Sequence, residues 1–189
     1  QTTVRGMARL AKSKGYAPVA VTRCNIIFAR NDVIESKPLC LNVGGGHAFI
    51  NGHVLVDDLV DTKVFPLDHP DNSVDELYAS HILEHFSHRE TFAVLKEWRR
   101  VLKPKGVLKV AVPDREKADK LLADGKIGFQ LHELYLMGGH VDGNDHHGAM
   151  FTEQKLRAQL AYMAFDKVEP WESDVRDCAK LPVSLNLKG

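Results

Sequence analysis

The sequence is poor in cysteine, has no excess of either charge and contains no long apolar segment. Its 189 residues include only 3 cysteines, and these lack the spacing of zinc ligands, so a disulfide-stabilised or zinc-stabilised miniprotein is excluded. The 25 basic residues balance the 25 acidic residues, which argues against a general nucleic-acid binder. No apolar run approaches the roughly 18–20 residues that span a bilayer, and no signal peptide opens the chain. We therefore expect a cytoplasmic protein without a nucleic-acid partner or a membrane span.

The apolar segments that are present predict strands alternating with helices. Short apolar strands are predicted at residues 39–43, 53–56, 74–79 and 107–112. This alternation is typical of a doubly wound α/β sheet whose strands are mostly parallel. The segment that separates the first two strands is too short for a full crossover helix. We predict a Rossmann-like fold with a shortened first crossover.

Local signals mark the helices and the last strands. Ser87 and Glu90 have the spacing of a capping box at the start of an apolar helical pattern. Residues 115–137 predict two helical pieces, and Thr152 opens a further helix. Two strands are expected to close the sheet as an antiparallel, hairpin-like edge, at residues 168–172 and 183–187.

Residues 1–38 stand apart from the pattern that follows them. They predict a helix up to Lys14, a turn at Gly15 and two β-rich stretches, APVAVT and CNIIFAR. We therefore expect an N-terminal extension at residues 1–38 and a larger domain at residues 39–189. Because the first residue is Gln1 rather than Met, we also expect the chain to be a piece of a longer polypeptide.

A glycine-rich loop and an acidic residue follow the first two strands of the larger domain. Gly44, Gly45 and Gly46 come directly after one strand, and Asp57 comes directly after the next. Glycine lets the backbone approach a ligand closely, and ligands of open α/β sheets bind at the carboxyl ends of the strands. A carboxylate there can accept hydrogen bonds from ribose, so a nucleoside cofactor is favoured; a tight turn beside a solvated aspartate also fits. A dinucleotide is disfavoured because Phe49 stands where its fingerprint requires a third glycine.

Three motifs carry a resemblance to a known family. LNVGGG at 41–46, VDELYASHILEH at 74–85 and LKPKG at 102–106 occur in the order and at the spacing of class I S-adenosylmethionine-dependent methyltransferases. The chain most closely resembles the methyltransferase-11-like group, with Lys105 in place of a usual glycine. The resemblance spans residues 39–187 and implies S-adenosylmethionine as the cofactor. The cofactor-binding residues that it implies are Gly44, Gly45, Gly46, Asp57, Ser80 and His81.

The resemblance also implies which part of the cofactor these residues contact. Gly44 and Gly46 would line the methionine and the ribose, and Asp57 would bind the ribose hydroxyls. Ser80 and His81 would border the methionine portion and the methyl group. The loop at 65–67 is expected to flank adenine. Separately, residues 1–38 are similar to the C-terminal end of an FkbM-family methyltransferase, which predicts either a tandem protein or an N-terminal addition to this domain.

Methyl transfer to an alcohol would be helped by a general base, and a neutral histidine suits this role. His147 is the first candidate, because the resemblance places a histidine there, and Asp114, at the mouth of a strand, is the second. The glycine-rich loop 138–148 is expected to cover the acceptor pocket. His85 and His88 are interpreted as structural or solvated residues.

No metal site is expected, because a glycine-rich loop would lose much conformational entropy in holding several ligands. The possible donors in that loop are His140, Asp142, Asp145, His146 and His147.

The resemblance therefore implies an enzyme that methylates an oxygen of a sugar, a surface-polysaccharide precursor or another small metabolite. Two alternatives stay open. One is a non-catalytic, cofactor-binding or regulatory module of a tandem methyltransferase protein. The other is an oxidoreductase, which Phe49 and the short crossover weaken. A homodimer or an upstream tandem domain is the expected protein partner.

Overall fold

A computed structural model describes residues 4–21, 26–31, 38–141 and 145–189. None of the helices in these ranges has the length and apolar character that a bilayer span requires. The helices are α1 (Val4–Ser13), α2 (Thr91–Val101), α3 (Arg115–Ala123), α4 (Phe129–Met137) and α5 (Glu153–Tyr162). The strands are β1 (Tyr16–Val21), β2 (Ile26–Arg30), β3 (Cys40–Val43), β4 (His53–Val56), β5 (Val74–Ser80), β6 (Leu102–Pro113), β7 (Glu169–Pro170) and β8 (Ser184–Lys188).

The larger of two sheets determines the fold class. Its strand order is β4-β3-β5-β6-β8-β7. Strand β3 pairs in parallel with β4 and with β5, whereas β8 pairs antiparallel with β6 and with β7. The predicted α/β class is therefore confirmed, including the antiparallel edge formed by the last strands. The chain divides into two compact units, one of residues 1–79 with 97–108 and one of residues 80–96 with 109–189.

In the first unit, the parallel strands carry an almost continuous buried surface. Leu41 and Val43 of β3 are fully buried, and Asn42 between them is also buried. The side-chain amide of Asn42 donates to the carbonyl of Ala48 at 3.0 Å, which compensates part of the cost of burying this polar group. Burial of successive residues is expected for a parallel strand covered on both faces. Residues 44–52, all of which the structure describes, contain no helix, so the shortened first crossover is confirmed.

The N-terminal segment contains the predicted helix and two strands. Strands β1 and β2 pair antiparallel as a separate two-stranded sheet. Ala8 of α1 packs in one apolar cluster with Leu55 and Val60. Arg9 Nε lies 2.6 Å from Asp61 Oδ2. Parts of the predicted β-rich stretches, at 22–25, lie outside the described residues, and the boundary at residue 38 stays a prediction.

The start of α2 differs from the capping-box prediction. Glu90 Oε2 accepts a hydrogen bond from the Ser87 N–H at 3.2 Å, as a capping box requires. The Ser87 hydroxyl, however, accepts from the N–H of Arg89 rather than from that of Glu90. The intervening residues therefore form a turn, and the helix begins only at Thr91.

Strand β6 begins earlier than residue 107, where the sequence predicted it. The LKPKG segment is its first part, and Lys105 adopts the left-handed conformation with a φ of 68°. This φ explains why glycine is usual at that position, since most side chains disfavour it. A side chain at Gly106 would lie 3.1 Å from the Val74 carbonyl oxygen, so this turn passes close to β5.

The second unit contains α3, α4 and α5, in agreement with the prediction. Asp114 caps α3 by accepting from the N–H of Glu116 at 3.0 Å, and Thr152 caps α5 by accepting from the N–H of Lys155. Leu156 and Leu160 of α5 are fully buried. Helix α4 has no buried residue, and its apolar side chains lie at the surface of the described structure. Helical periodicity in the sequence predicted this helix correctly. It did not predict that the apolar side chains of the helix are exposed.

Arg100, in the last turn of α2, forms ion pairs with Glu97 on the same helix and with Asp71 in the loop before β5. Its guanidinium donates to both carboxylate oxygens of Glu97, each at 2.8 Å, and to Asp71 at 2.5 Å. Glu97 Oε1 also accepts from the Leu67 N–H at 2.9 Å. These hydrogen bonds, led by the one from Arg100, hold the pKa of the Glu97 carboxyl below its usual range.

We expect Arg100→Gln to lower the free energy of unfolding by about 1 kcal/mol at neutral pH, because the ion pair is partly exposed. A depressed carboxyl pKa stabilises the fold above the pKa of the unfolded chain and loses this effect as the pH falls through the folded value. The difference from the wild type should therefore shrink below about pH 4. Urea unfolding at several pH values measures it, with Lys96→Gln on the same helix as control. An equal difference at pH 7 and pH 3 would contradict this account.

Candidate functional site

The glycine loop after β3 is tied to Asp57 by its own backbone. Gly46 donates its N–H to Asp57 Oδ2 at 2.9 Å, and Gly44 donates its N–H to the carbonyl of Val56 at 2.8 Å. Gly44 and Gly46 have φ values of 66° and 52°, which glycine adopts without strain. A Cβ on Gly45 would lie 2.2 Å from the Asn42 side chain. Gly44 and Gly46 therefore share a conformational reason, Gly45 has a steric one, and Gly46 lies directly beside Asp57.

The Asp57 carboxylate is oriented through both of its oxygens. Oδ2 accepts from Gly46, and Oδ1 accepts from the N–H of Leu59 at 2.9 Å. A carboxylate oxygen has more than one acceptor position, so each oxygen can accept a further hydrogen bond. A Cβ on Gly46 would meet no atom within 4 Å, so the loop borders open space. The residues therefore fit a nucleoside whose ribose offers two hydroxyl donors.

A cavity of about 740 Å³ lies within the first unit. Val56 and Val60 line it from either side of Asp57 in the sequence, and Pro66 and Leu67 line it from the following loop. The loop at 65–67 was expected to flank adenine. That assignment stays a prediction; two of these three residues, Pro66 and Leu67, border the cavity.

A substitution in the glycine loop tests whether the open space beside Gly46 is needed to bind S-adenosylhomocysteine. We expect Gly46→Asn to weaken S-adenosylhomocysteine binding at least about tenfold, because the side chain would project into the space beside the glycine loop. Asparagine tolerates the left-handed backbone better than most residues, so the fold should persist. Gly52→Asn is the matched control, since Gly52 also has a positive φ and no neighbour within 4 Å of a Cβ. Equal binding by the two variants in a calorimetric titration would contradict the assignment.

In the second unit, a chain of hydrogen bonds begins at His81. His81 Nε2 lies 3.0 Å from Ser184 Oγ, Ser184 Oγ donates to Asn186 Oδ1 at 2.7 Å, and Asn186 Nδ2 donates to the Ala179 carbonyl. His81 has a φ of 52°, a strained conformation that proteins retain mainly where the position of a residue matters. The neighbouring Ser80 hydroxyl is buried and has no hydrogen-bond partner within the described part of the chain.

Glu84 follows His81 by one turn and is the least expected residue of this unit. Its side chain is only 1% exposed, and neither carboxylate oxygen receives a hydrogen bond within the described residues. His81 Nδ1 lies 3.3 Å from Glu84 Oε1. The Glu84 backbone carbonyl accepts from the N–H groups of Gly148 and Ala149 at 2.7 and 3.1 Å, which holds the end of the 138–148 loop beside it.

His147 joins Glu84 and His85 in one cluster. One ligand atom from each of these three residues lies within 4.8 Å of the other two, and the rings of His85 and His147 contact each other edge to face at 5.0 Å. Burial lowers the pKa of the His147 imidazole, against an opposing effect of Glu84. His147 therefore favours the neutral form, which can accept a proton.

The other predicted residues of this unit occupy separate positions. Asp114 is buried and its Oδ1 caps α3. His140 Nε2 lies 3.0 Å from the Met137 carbonyl, and the ring of His140 contacts that of His146. Asp142, which was considered as a metal donor, lies outside the described residues. Of the histidines in the loop, only His147 belongs to the Glu84 cluster.

Sequence reasoning missed Glu84 and interpreted His85 as structural or solvated. One feature of the sequence could have indicated these residues. His81, Glu84 and His85 follow directly after a buried strand, and their spacing places three polar side chains within about one turn. Burial of Glu84 could not be derived from this spacing, because the residues that cover it come from distant parts of the sequence.

Known proteins are similar to this chain in sequence and in fold. Residues 46–110 match the model of a family described as a methyltransferase domain; this segment includes Asp57, Ser80 and His81. No curated protein matches the chain. One similar structure is a SAM-dependent methyltransferase from Archaeoglobus fulgidus, with 16% identity, a TM-score of 0.50 and coverage of 78% of this chain and 70% of that chain.

A second similar structure is a possible exported protein from Bordetella parapertussis. It has 14% identity and a TM-score of 0.50, and the match covers 97% of this chain and 65% of that chain. This chain thus spans less than two thirds of the length of that protein. Both structures agree with the fold that the sequence predicted.

Proposed function

We propose that this chain, whose residues 46–110 match a methyltransferase domain, is a class I methyltransferase and that it methylates an oxygen atom of a sugar or another small metabolite. The family match and the shared fold support S-adenosylmethionine as the cofactor, as the sequence predicted. The choice of a hydroxyl group as the methyl acceptor has two supports. One is the resemblance to the methyltransferase-11-like group, and the other is His147, which can take the proton of an alcohol.

The observation that carries the proposal is the orientation of Asp57. Hydrogen bonds from Gly46 and Leu59 fix both carboxylate oxygens while each oxygen keeps capacity for a further donor. Two adjacent hydroxyls of a ribose supply such a pair of donors. Gly44 and Gly46 would lie against the methionine and ribose portions, and Ser80 and His81 would border the methyl group.

When bound, S-adenosylmethionine supplies a methyl group on a positively charged sulfur; the acceptor oxygen forms a bond to that carbon while the carbon–sulfur bond breaks and sulfur keeps the electron pair. The protein contributes mainly by aligning the acceptor and excluding water. We propose that His147 takes the acceptor proton. Partial burial lowers the pKa of its imidazole and so favours the neutral form that can accept a proton. Asp114 is the weaker candidate, since its carboxylate caps α3.

A transfer assay with isotopically labelled S-adenosylmethionine tests the proposed function. Nucleotide sugars and other hydroxylated metabolites are offered one at a time, each beside an analogue in which a single hydroxyl is already methylated. We expect label in one sugar and none in its blocked analogue. Binding of S-adenosylhomocysteine without label in any acceptor would instead favour the alternative function, a non-catalytic cofactor-binding module of a tandem protein.

We further propose a cytoplasmic location and no nucleic-acid partner, consistent with the balanced charge.

A further inference from the structure

We propose that Glu84, His85 and His147 form a binding site for a divalent transition-metal ion such as Zn²⁺, and that occupation of this site inhibits methyl transfer. Metal binding is independent of the proposed function. Inhibition rests on it, because the ion would occupy the nitrogen of His147 that is proposed to take the acceptor proton. The site was not expected from the sequence, since its donors come from two distant segments.

The donor set is that of a zinc site with an open position. Two imidazoles and one carboxylate bind zinc in several catalytic sites, and a water molecule completes the tetrahedron. Tetrahedral zinc holds nitrogen and oxygen ligands about 3.4 Å apart. The atoms offered by Glu84, His85 and His147 lie within 4.8 Å of one another, so side-chain movements of about 1 Å would bring them to bonding distance.

A backbone carbonyl orients one of the two imidazoles. His85 Nδ1 lies 3.2 Å from the His146 carbonyl. A carbonyl can only accept, so Nδ1 carries the proton and Nε2 keeps the lone pair that a metal ion requires. Histidines that bind metals are typically oriented in this way by a second hydrogen bond.

Glu84 gives an independent reason for a cation. Its carboxylate is 1% exposed and has no hydrogen-bond donor within the described residues. Burying a carboxylate that accepts no hydrogen bond is costly, and buried charges are normally paired or bound to a metal. The Glu84 oxygens therefore form, with the two histidines, a set of acceptors around a position that suits a positive ion.

His81 lies beside one oxygen of the Glu84 carboxylate. Its Nε2 lies 3.0 Å from Ser184 Oγ, and its Nδ1 lies 3.3 Å from Glu84 Oε1. Glu84 Oε2 has no hydrogen-bond donor within the described residues, so this oxygen can bind a cation.

A competition titration tests the metal site without any assay of methyl transfer. The metal-free protein is titrated with Zn²⁺ in the presence of a chromophoric chelator, and Co²⁺ absorption reports the coordination geometry. We expect one ion per chain, and a loss of affinity of at least about tenfold in both His85→Ala and His147→Ala. His146→Ala and His140→Ala are the matched controls and should bind like the wild type.

Thermal unfolding of the metal-free variants shows that each variant is folded before it is titrated. Wild-type affinity in both His85→Ala and His147→Ala would overturn the site. So would an equal loss in His140→Ala, which would indicate diffuse binding by surface histidines. Absence of Zn²⁺ binding by the wild type at about 100 μM, roughly −5.5 kcal/mol, would also overturn it.

The second half of the proposal is tested once an acceptor is known. We expect Zn²⁺ to lower the rate of the wild type, a strong chelator to restore it, and the chelator alone to leave the rate undiminished. His85→Ala keeps His147 but loses a ligand, so its ratio of rates with and without Zn²⁺ should stay near one. Zn²⁺ binding without inhibition would overturn the inhibitory role. Zn²⁺ binding by a protein that transfers no methyl group would contradict the proposed function and leave the metal site standing.

Discussion

Replacing His147 by alanine should lower the turnover number by about two to four orders of magnitude, the contribution that a general base makes to proton transfer. The affinity for S-adenosylmethionine should stay nearly unchanged, because the residues proposed to bind the cofactor do not include His147. Burial favours the neutral imidazole, so the wild-type residue can accept a proton without first losing one. Single-turnover kinetics measures the chemical step, and a calorimetric titration measures the affinity.

His146→Ala is the control for this variant, since it removes the adjacent imidazole while keeping the backbone carbonyl that faces His85 Nδ1. We expect its turnover to stay within a few-fold of the wild type. A reduction of only a few-fold in His147→Ala would mean that His147 positions the acceptor or lies outside the reaction. A reduced affinity for the cofactor at unchanged turnover would contradict the assignment more strongly.

Replacing Asp57 by alanine should weaken the binding of S-adenosylhomocysteine by roughly 10–150-fold, since hydrogen bonds to a charged group contribute about 1.5–3 kcal/mol. The substitution also removes the acceptor that fixes the N–H groups of Gly46 and Leu59. The glycine loop therefore loses its orientation along with the partner of the ribose. An isothermal titration with S-adenosylhomocysteine gives the affinity.

Asp58→Ala provides the matched control for Asp57→Ala, because it removes the same charge from the next position in the chain. Thermal unfolding without ligand shows whether either variant has lost its fold. We expect normal affinity in Asp58→Ala. Equal affinity in Asp57→Ala and in the wild type would remove Asp57 from the cofactor site and leave the glycine loop without its proposed partner.

The parts of the fold that the sequence predicted best depend on local patterns. Strands β3 to β5 are short apolar runs bounded by turn residues, and their burial follows from this composition. The absence of a helix at residues 44–52 was predicted from the short length of this segment alone. Asp57 and the glycines were placed together because the ends of adjacent parallel strands lie at one edge of a sheet.

The parts that the sequence did not predict depend on contacts between distant residues. Glu84 is buried and its backbone carbonyl accepts from the distant Gly148 and Ala149, and nothing in the local sequence indicates either feature. Asp114 is a good helix cap and an acceptable general base by residue type, and only the structure shows that its Oδ1 accepts from the N–H of Glu116. The start of α2 shifted from its predicted position because the Ser87 hydroxyl bonds to a nearer N–H than expected.

A calorimetric titration of the intact chain with S-adenosylhomocysteine tests the central claim most directly, because it requires no knowledge of the methyl acceptor. The account predicts saturable binding of one molecule per chain, displaced by S-adenosylmethionine and accompanied by a higher unfolding temperature. No heat of binding and no shift of the unfolding temperature at about 1 mM ligand, which corresponds to roughly −4 kcal/mol, would contradict it.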